Sequence, residues 1–458
     1  MTQAKKLIEV AMPIKEISAE SVRDKSIRHG HISTLHLWWA RRPLPVCRAV
    51  VFASLVPDPE DENCPQAFRD AVKQLLGKQE NNTDPYKPYD DIPYTSAIDR
   101  MEDTLRNRLM MFIGKFSEKY IQAAKQGKSA AAKDMLSDAS LIKWDNKNDD
   151  AIIGKARKLI WVSHNASTGK SAKELLTGFE TTYKAIKDAE AALYSLPDRH
   201  IETEKSKQLT DQLQNAIDAF QDKMPKVFDP FAGGGAIPLE AARLGCKTYG
   251  NDINPVAHII QKGSLEFPQK YGKPINYTNA EFVKLYGEET LKTIPNEWKT
   301  YTSGNATGVR MPNRLSFDVE FYAKKLLTET ENEIGHIYPA DQNGNKPIAY
   351  YWARIATCNN PSCKAEVPLL RGFSLCNKKD RKFFLKPSIE GNNISFEVVN
   401  RMVSDEGYNK RGNLKCPCCG SITDVKQIKE QNPSGKYKLK LLAIISEGDK
   451  GKTYRSPT

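Results

Sequence analysis

The sequence predicts an α/β fold: a Rossmann-like parallel sheet, helical N-terminal and inserted regions, and a small β-rich ribbon. Three observations carry this expectation. Residues 227–250 place a glycine-rich turn and a helix signal between two short apolar runs, the pattern of a strand–turn–helix–strand unit. Residues 100–125 and 185–222 repeat apolar side chains at helical spacing. Two cysteine clusters, Cys358 with Cys363 and Cys416 with Cys418 and Cys419, bracket a stretch rich in β-formers. At 458 residues the chain exceeds one ordinary core, so several domains are expected.

The elements follow in order. Residues 1–56 hold the string His29-Gly-His-Ile-Ser-Thr-Leu-His-Leu-Trp-Trp-Ala-Arg-Arg-Pro43 and then a helix over 44–54 that stops before Pro57. Residues 57–222 form a mainly helical region. It opens with polar, proline-rich helix fragments and continues as one amphipathic helix over 100–125, with Leu105, Leu109, Phe112, Ile113 and Phe116 on one face. Helix over 185–222 is broken at Pro197, and its charged middle reads as a solvent-facing hairpin that packs against the next domain. Residues 223–340 form the sheet core: strand 227–229, helix 236–244, strand 248–250 and a later helix over 318–331. Pro238 falls in a first helical turn, where a missing amide hydrogen costs little. Residues 341–424 form the cysteine-bounded ribbon, and residues 425–458 a β-rich segment with strands alternating over 437–451.

Composition narrows the function classes. An apolar share of 40% with 27% charged residues is that of a globular chain. The formal net charge of +12 favours a polyanionic partner, nucleic acid before an acidic protein surface, although a basic solvated face has the same signature. No apolar run reaches the length of a membrane span and no apolar core follows the N-terminal lysines, so a cytoplasmic protein without a membrane partner is expected. Nine cysteines, an odd number, argue against a complete disulfide framework. Cys246, in an apolar helix-to-strand corner, reads as a small core residue.

The turn Asp229-Pro-Phe-Ala-Gly-Gly-Gly235 suits close approach of a ligand to the backbone. Two ligands compete for it, a dinucleotide pyrophosphate and S-adenosylmethionine. A dinucleotide turn prefers Gly-x-Gly-x-x-Gly, whereas Ile237-Pro238 stand where the third glycine belongs, which weakens the first. On the second reading Asp229 meets the ammonium group of the cofactor, and Asp252, closing the second strand, accepts from both ribose hydroxyls. A plainer alternative is a sheet corner with structural glycines and helix-capping aspartates.

The N-terminal string concentrates His29, His31, His36, Trp38, Trp39, Arg41 and Arg42. One reading makes it a pocket wall, with an aromatic face for adenine and arginines reaching a ligand carboxylate or a DNA phosphate. Trp39 and Arg41 are its strongest candidates. Three histidines also admit a metal, but at no recognised ligand spacing. In the plainest reading Leu35, Leu37 and Trp38 anchor the segment to the core.

Cys358, Cys363, Cys416 and Cys419 present two turns whose four thiolates can enclose a tetrahedral Zn2+, with Gly420 letting the second turn fold back. Cys418 is surplus to that set. A redox dithiol accounts for the second cluster but leaves the first unexplained. Such a metal leaves no open ligand position, so its role is to stabilise a small module. Lys364, Arg371, Lys378, Lys379, Arg381 and Lys382 add positive charge suited to DNA phosphates.

Asp229-Pro-Phe-Ala-Gly-Gly-Gly-Ala-Ile-Pro-Leu-Glu-Ala with Asn251-Asp-Ile-Asn-Pro-Val-Ala resembles the cofactor motifs of adenine-specific DNA methylases. The resemblance is to the family with an N-terminal DUF1156 domain and a zinc ribbon. His31-Ile-Ser-Thr-Leu-His-Leu-Trp-Trp-Ala-Arg-Arg-Pro43 is similar to its N-terminal signature, and Gly372-Phe-Ser-Leu and Gly451-Lys-Thr-Tyr-Arg-Ser-Pro to later segments. The resemblance spans nearly the whole chain except residues 198–214. It implies a class I methyltransferase sheet, S-adenosyl-L-methionine and Zn2+ as cofactors, double-stranded DNA as partner, and a place in restriction-modification or anti-phage defence. It also implies cofactor-binding residues at Asp229, Pro230, Phe231, Ala232, Gly233, Gly235 and Asp252, joined by Trp39 and Arg41, with Phe231 near the adenosine.

Methylation of adenine N6 requires the base to leave the stack. In the resembled enzymes an Asp-Pro-Pro-Tyr loop receives it, and neither that string nor Asn-Pro-Pro-Tyr occurs between Met1 and Thr458. No catalytic residue is therefore assigned. The expectation is a cofactor-binding portion whose amine-binding loop lies downstream or on a second polypeptide. The alternative is a noncatalytic DNA-binding or assembly subunit with a methylase-like fold.

Overall fold

A computed structural model describes residues 3–32, 36, 38, 41–77, 103–196, 203–304, 306–404, 406–448 and 451–457. The chain divides into two compact units, Met1–Phe321 and Tyr322–Thr458.

Unit 1 begins with short helix α1 (Leu7–Val10) and then α2 (Ile14–Ser26), α3 (Leu44–Leu55) and α4 (Gln66–Leu76). Helix α3 starts on Pro43 and Pro45, whose fixed φ suits a first turn, and ends one residue beyond the expected 54. Helices α5 (Leu105–Ile113) and α6 (Glu118–Lys125) replace the single helix expected over 100–125. The break is at Gly114, in extended backbone, where a Cβ would meet Ile142 Cδ1 at 3.0 Å and Glu16 Cβ at 3.1 Å. Phe116 then forms an antiparallel bridge with Leu136, and the Ser117 hydroxyl restarts the helix by accepting from Tyr120 N. The apolar repeat continues through the break because both helices face one core. Residues 100–102 lie outside the described residues.

Helix α7 (Asp150–Asn165) leads to the hairpin of α8 (Ala172–Tyr194) and α9 (Glu204–Gln221), each with a side-chain N-cap. Pro197 lies outside the described residues. Trp161 of α7, Phe179 of α8 and Phe220 of α9 form an aromatic knot with centroids 5.5–5.7 Å apart. This knot belongs to the large core that includes Phe52, Phe68 and Phe112, and also Ala241, Leu244 and Cys246. The helical layer therefore packs on the next element, as expected, and Cys246 is a core residue.

Strand β1 (Lys226–Asp229), helix α10 (Ala236–Arg243) and strand β2 (Lys247–Gly250) form the expected unit, with β1 and β2 parallel and Asp229 opposite Gly250. Helices α11 (Pro255–Gln261) and α12 (Phe267–Tyr271) flank a π-helical turn over Lys262–Glu266. Strand β3 (Ile275–Thr278), helices α13 (Asn279–Tyr286) and α14 (Glu288–Thr293), and strands β4 (Tyr301–Ser303) and β5 (Ala306–Met311) follow. Here the structure departs from the expected parallel sheet: β3, β5 and β4 form a separate antiparallel sheet. The tight turn at Gly304, φ +59°, makes β4 and β5 a hairpin, and a hairpin imposes antiparallel pairing. Among the described residues β1–β2 is the only parallel pair, so the chain is a mixed helix-and-sheet protein.

Helix α15 (Arg314–Ile334) crosses the division between units and covers the expected 318–331 helix. Unit 2 is β-rich. Strands β6 (Pro347–Thr357), β7 (Glu366–Pro368), β14 (Leu439–Gly448) and β15 (Gly451–Arg455) form one antiparallel sheet in the order β15-β14-β6-β7. Strands β8 (Ser374–Lys378), β9 (Arg381–Glu390) and β10 (Asn393–Val399) form a meander, and β11 (Asn409–Lys410), β12 (Asn413–Lys415) and β13 (Ile422–Thr423) a small sheet before helix α16 (Val425–Glu430). No helix among the described residues is long and apolar enough to cross a membrane.

Candidate functional site

The ends of β1 and β2 are joined by their backbones before any side chain acts. Asn251 N donates to Asp229 O at 2.9 Å, and Ala232 N donates to Asn251 O at 2.9 Å. Gly233 has φ +51° and Gly235 φ +79°, a left-handed backbone that glycine adopts without strain, and Gly235 caps α10.

Asp252 then fastens the two turns. Its Oδ2 accepts from Gly233 N at 2.8 Å, and its Oδ1 accepts from Asn254 N at 2.9 Å. An ionised carboxylate has about four acceptor positions, so each oxygen can still accept once more. Asp229 shapes its own turn, with Oδ1 accepting from Phe231 N at 3.1 Å. Gln261, at the end of α11, donates from Nε2 to Gly233 O at 3.1 Å and is buried. A Cβ on Gly250 would lie 2.4 Å from Gln261 Oε1, so the lack of a side chain at 250 is what admits Gln261 beside the turn.

Around these turns lies a cleft of about 360 Å³, within the range of small-molecule sites. Asp229, Phe231, Ala232, Gly233 and Asp252 line it together with His36, Trp38, Arg41 and Arg42. Phe231 is 86% exposed and Ile253, also in the lining, 98%, so the mouth offers apolar surface for a ligand to cover. Pro230 and Gly235 shape the turn without lining the cleft, and Trp39 lies outside the described residues, as do Leu35 and Leu37. Trp38 is the described aromatic wall. A Cβ on Gly233 would lie 2.7 Å from Trp38 Nε1, and one on Gly234 3.5 Å from Trp38 Cβ. The space the glycines leave open is thus occupied by an indole.

The N-terminal segment is tied to the β1–α10–β2 unit by a buried ion pair absent from the sequence reading. Arg48 of α3 donates from Nε to Glu240 Oε2 of α10 at 2.5 Å, with side chains 1% and 0% exposed. Arg48 also donates to Leu141 O at 2.8 Å, and the second Glu240 oxygen pairs with Arg243. The sequence signal is a lone arginine in the apolar helix α3 and a glutamate among the apolar residues of α10. Beside Arg48, burial and then the Glu240 carboxylate push the Cys47 thiol up to about 12, so it is an inert core residue.

His31 is buried against Asp24 and His29 is exposed. Among the described residues the histidines form no metal-binding group.

In unit 2 the turn after β6 carries Cys358 and Cys363, and the turn between β12 and β13 carries Cys416 and Cys419. Their four sulfurs lie within 4.8 Å of one another and could hold a metal ion. Cys358 Sγ is 3.6 Å from Cys419 Sγ, and Cys363 Sγ is 3.7 Å from Cys416 Sγ, far beyond a disulfide bond. Gly420, φ +77°, lets its N–H donate to Cys416 O at 2.9 Å. Burial pushes the Cys358 thiol up to about 12, whereas hydrogen bonding with Ser421 draws Cys419 down to about 6. Cys418 stands outside the quartet. Lys364, Arg371, Lys378, Lys379 and Lys382 are exposed; Arg381 is half-buried and donates to Lys452 O.

Comparison with known proteins places these features. Residues 11–79 match the family model of a protein of unknown function, DUF1156, and residues 206–286 match that of D12 class N6 adenine-specific DNA methyltransferase. The second match begins inside the stretch 198–214 that the sequence resemblance left out. No curated protein and no solved structure matches the chain. The two matches support a family that joins DUF1156 to an adenine methylase, and so DNA adenine methylation in general.

Proposed function

We propose that this chain, as a DUF1156-linked adenine methylase, binds S-adenosyl-L-methionine in the unit 1 cleft and serves N6 methylation of adenine in double-stranded DNA. The observation that carries the reading is the cleft itself, built from residues of both matched segments and fastened by Asp252. On this reading β1–α10–β2 is the first unit of a Rossmann-like class I core.

The residues present fit the cofactor. Asp252 keeps acceptor capacity for ribose hydroxyls, Asp229 offers a carboxylate to an ammonium group, and Phe231 and Trp38 offer apolar faces to an adenine. Gly233 and Ala232 keep the turn low, and Arg41 supplies a cation for a carboxylate. The bound cofactor supplies a sulfonium methyl group for transfer. The chain's own residues orient the donor; the flipped adenine needs an amine-binding loop such as the Asp-Pro-Pro-Tyr loop of the resembled enzymes.

The cysteine quartet suits structural Zn2+. A tetrahedron with bonds of about 2.3 Å has sulfur–sulfur edges of about 3.8 Å, close to the two separations above. The exposed Lys364, Lys378, Lys379 and Lys382 of the same unit suit DNA phosphates, and a role in restriction-modification or anti-phage defence in the cytoplasm is in keeping with these parts.

A second reading, a noncatalytic DNA-binding or assembly subunit, is favoured by one observation: both Asp252 oxygens already accept backbone amides, so the turns hold without a ligand. The test incubates the chain with DNA and methyl-labelled S-adenosylmethionine, alone and with a polypeptide carrying an Asp-Pro-Pro-Tyr loop. N6-methyladenine in digested DNA supports the first reading. Its absence in both mixtures supports the second.

A further inference from the structure

Helix α2 carries Glu20 and Asp24 one turn apart, 1% and 0% exposed. A buried carboxylate is costly unless it is paired, and Asp24 divides itself between two cations or donors. Its Oδ1 lies 2.9 Å from His31 Nε2, with both side chains fully closed to solvent. Its Oδ2 lies 3.5 Å from a terminal nitrogen of Arg41, on the cleft wall.

His31 is itself fixed from the far side. Its ring stacks on Trp144 with centroids 5.1 Å apart and planes at 16°. Trp144 N donates to Glu20 Oε1 at 2.8 Å, while Arg23 bridges Glu20 at 3.0 Å and Asp145 at 2.8 Å. The ring stack of Trp144 on His31 and the His31–Asp24 contact therefore lead to Asp24 Oδ2, which takes no hydrogen bond and faces Arg41 as an ion pair at 3.5 Å. That oxygen is buried, so the Arg41 guanidinium is the cation that faces it.

We infer that Asp24 and His31 are positioning residues that hold Arg41 on the cleft wall to receive the carboxylate of an amino-acid-bearing nucleoside ligand. The inference rests on reading the cleft as a site for S-adenosylmethionine. Arginine suits a carboxylate because its planar fork offers parallel donors, and that advantage depends on the fork being oriented. Neither Asp24 nor His31 lines the cleft, so their effect passes through Arg41.

Two probes separate positioning from mere stability. S-adenosylhomocysteine carries the amino-acid tail and 5′-methylthioadenosine does not. In calorimetric titrations of the full chain, Asp24→Asn and His31→Gln should weaken the first about tenfold, the scale of one charge-assisted hydrogen bond, and the second by less than about twofold. Arg41→Lys, which leaves the buried pair intact and loses the fork, should show the same selective loss. Equal losses for both probes, or wild-type binding in Arg41→Lys, would overturn the positioning role. Failure of the unmutated chain to bind either probe would instead overturn the cofactor reading beneath it.

Discussion

Replacing Gly233 with alanine tests how the two halves of the cleft depend on each other. The added Cβ would stand 2.7 Å from Trp38 Nε1, 3.2 Å from Cδ1 and 3.3 Å from Cε2, so the indole must move. The backbone at φ +51° adds a left-handed strain of about 1–2 kcal/mol. If Trp38 packs on the adenine of the ligand, losing that face costs about 1–3 kcal/mol, or roughly 5- to 150-fold in Kd. Gly234→Ala is the matched control, since its Cβ would meet Trp38 Cβ at an ordinary 3.5 Å and its φ is not positive. Titration calorimetry with S-adenosylmethionine should show Gly233→Ala weakened within that range and Gly234→Ala close to the unmutated chain. Equal affinities for the two variants would refute the packing of Trp38 on the turn as a determinant of binding.

Glu240→Ala leaves Arg48 buried without its carboxylate and should destabilise unit 1 by about 3–5 kcal/mol in urea unfolding followed by tryptophan fluorescence, with a loss below about 1 kcal/mol counting against a structural ion pair. Purified protein should contain one zinc per chain by elemental analysis; Cys416→Ala should abolish it and Cys418→Ala should retain it, and the opposite pattern would reassign the ligands. Gln261→Ala removes the donor to Gly233 O and should weaken S-adenosylmethionine binding by about 3- to 10-fold, in keeping with one hydrogen bond, whereas unchanged affinity would make the buried amide dispensable to the site.

Features fixed by local chemistry were legible in the sequence. Paired prolines set the start of α3, three glycines between two short apolar runs marked β1–α10–β2, and the spacing of four cysteines anticipated their convergence. Features decided by distant partners were not. Apolar periodicity runs unbroken across Gly114, so only the side chains of Ile142 and Glu16 pressing on that glycine reveal why α5 and α6 separate. Nothing in the short runs of β3, β4 and β5 states their direction; the turn at Gly304 imposes it on β4 and β5 alone. The approach of Trp38 to a glycine turn some 195 positions away was beyond sequence reasoning too, because no local pattern reports a contact between such distant residues. Arg48 and Glu240 were readable only as charges set among apolar helix residues; their partnership across 192 positions needed the fold.

The proposed S-adenosylmethionine site joins the DUF1156 segment to the glycine turn. Its most direct test is titration of the purified full chain with S-adenosylmethionine, compared with Trp38→Ala from the first segment and Asp252→Ala from the second. Saturable binding at one site per chain, weakened at least about tenfold by either substitution, is the predicted result. Absence of binding by the unmutated chain, or affinity unaffected by Trp38→Ala, would contradict it.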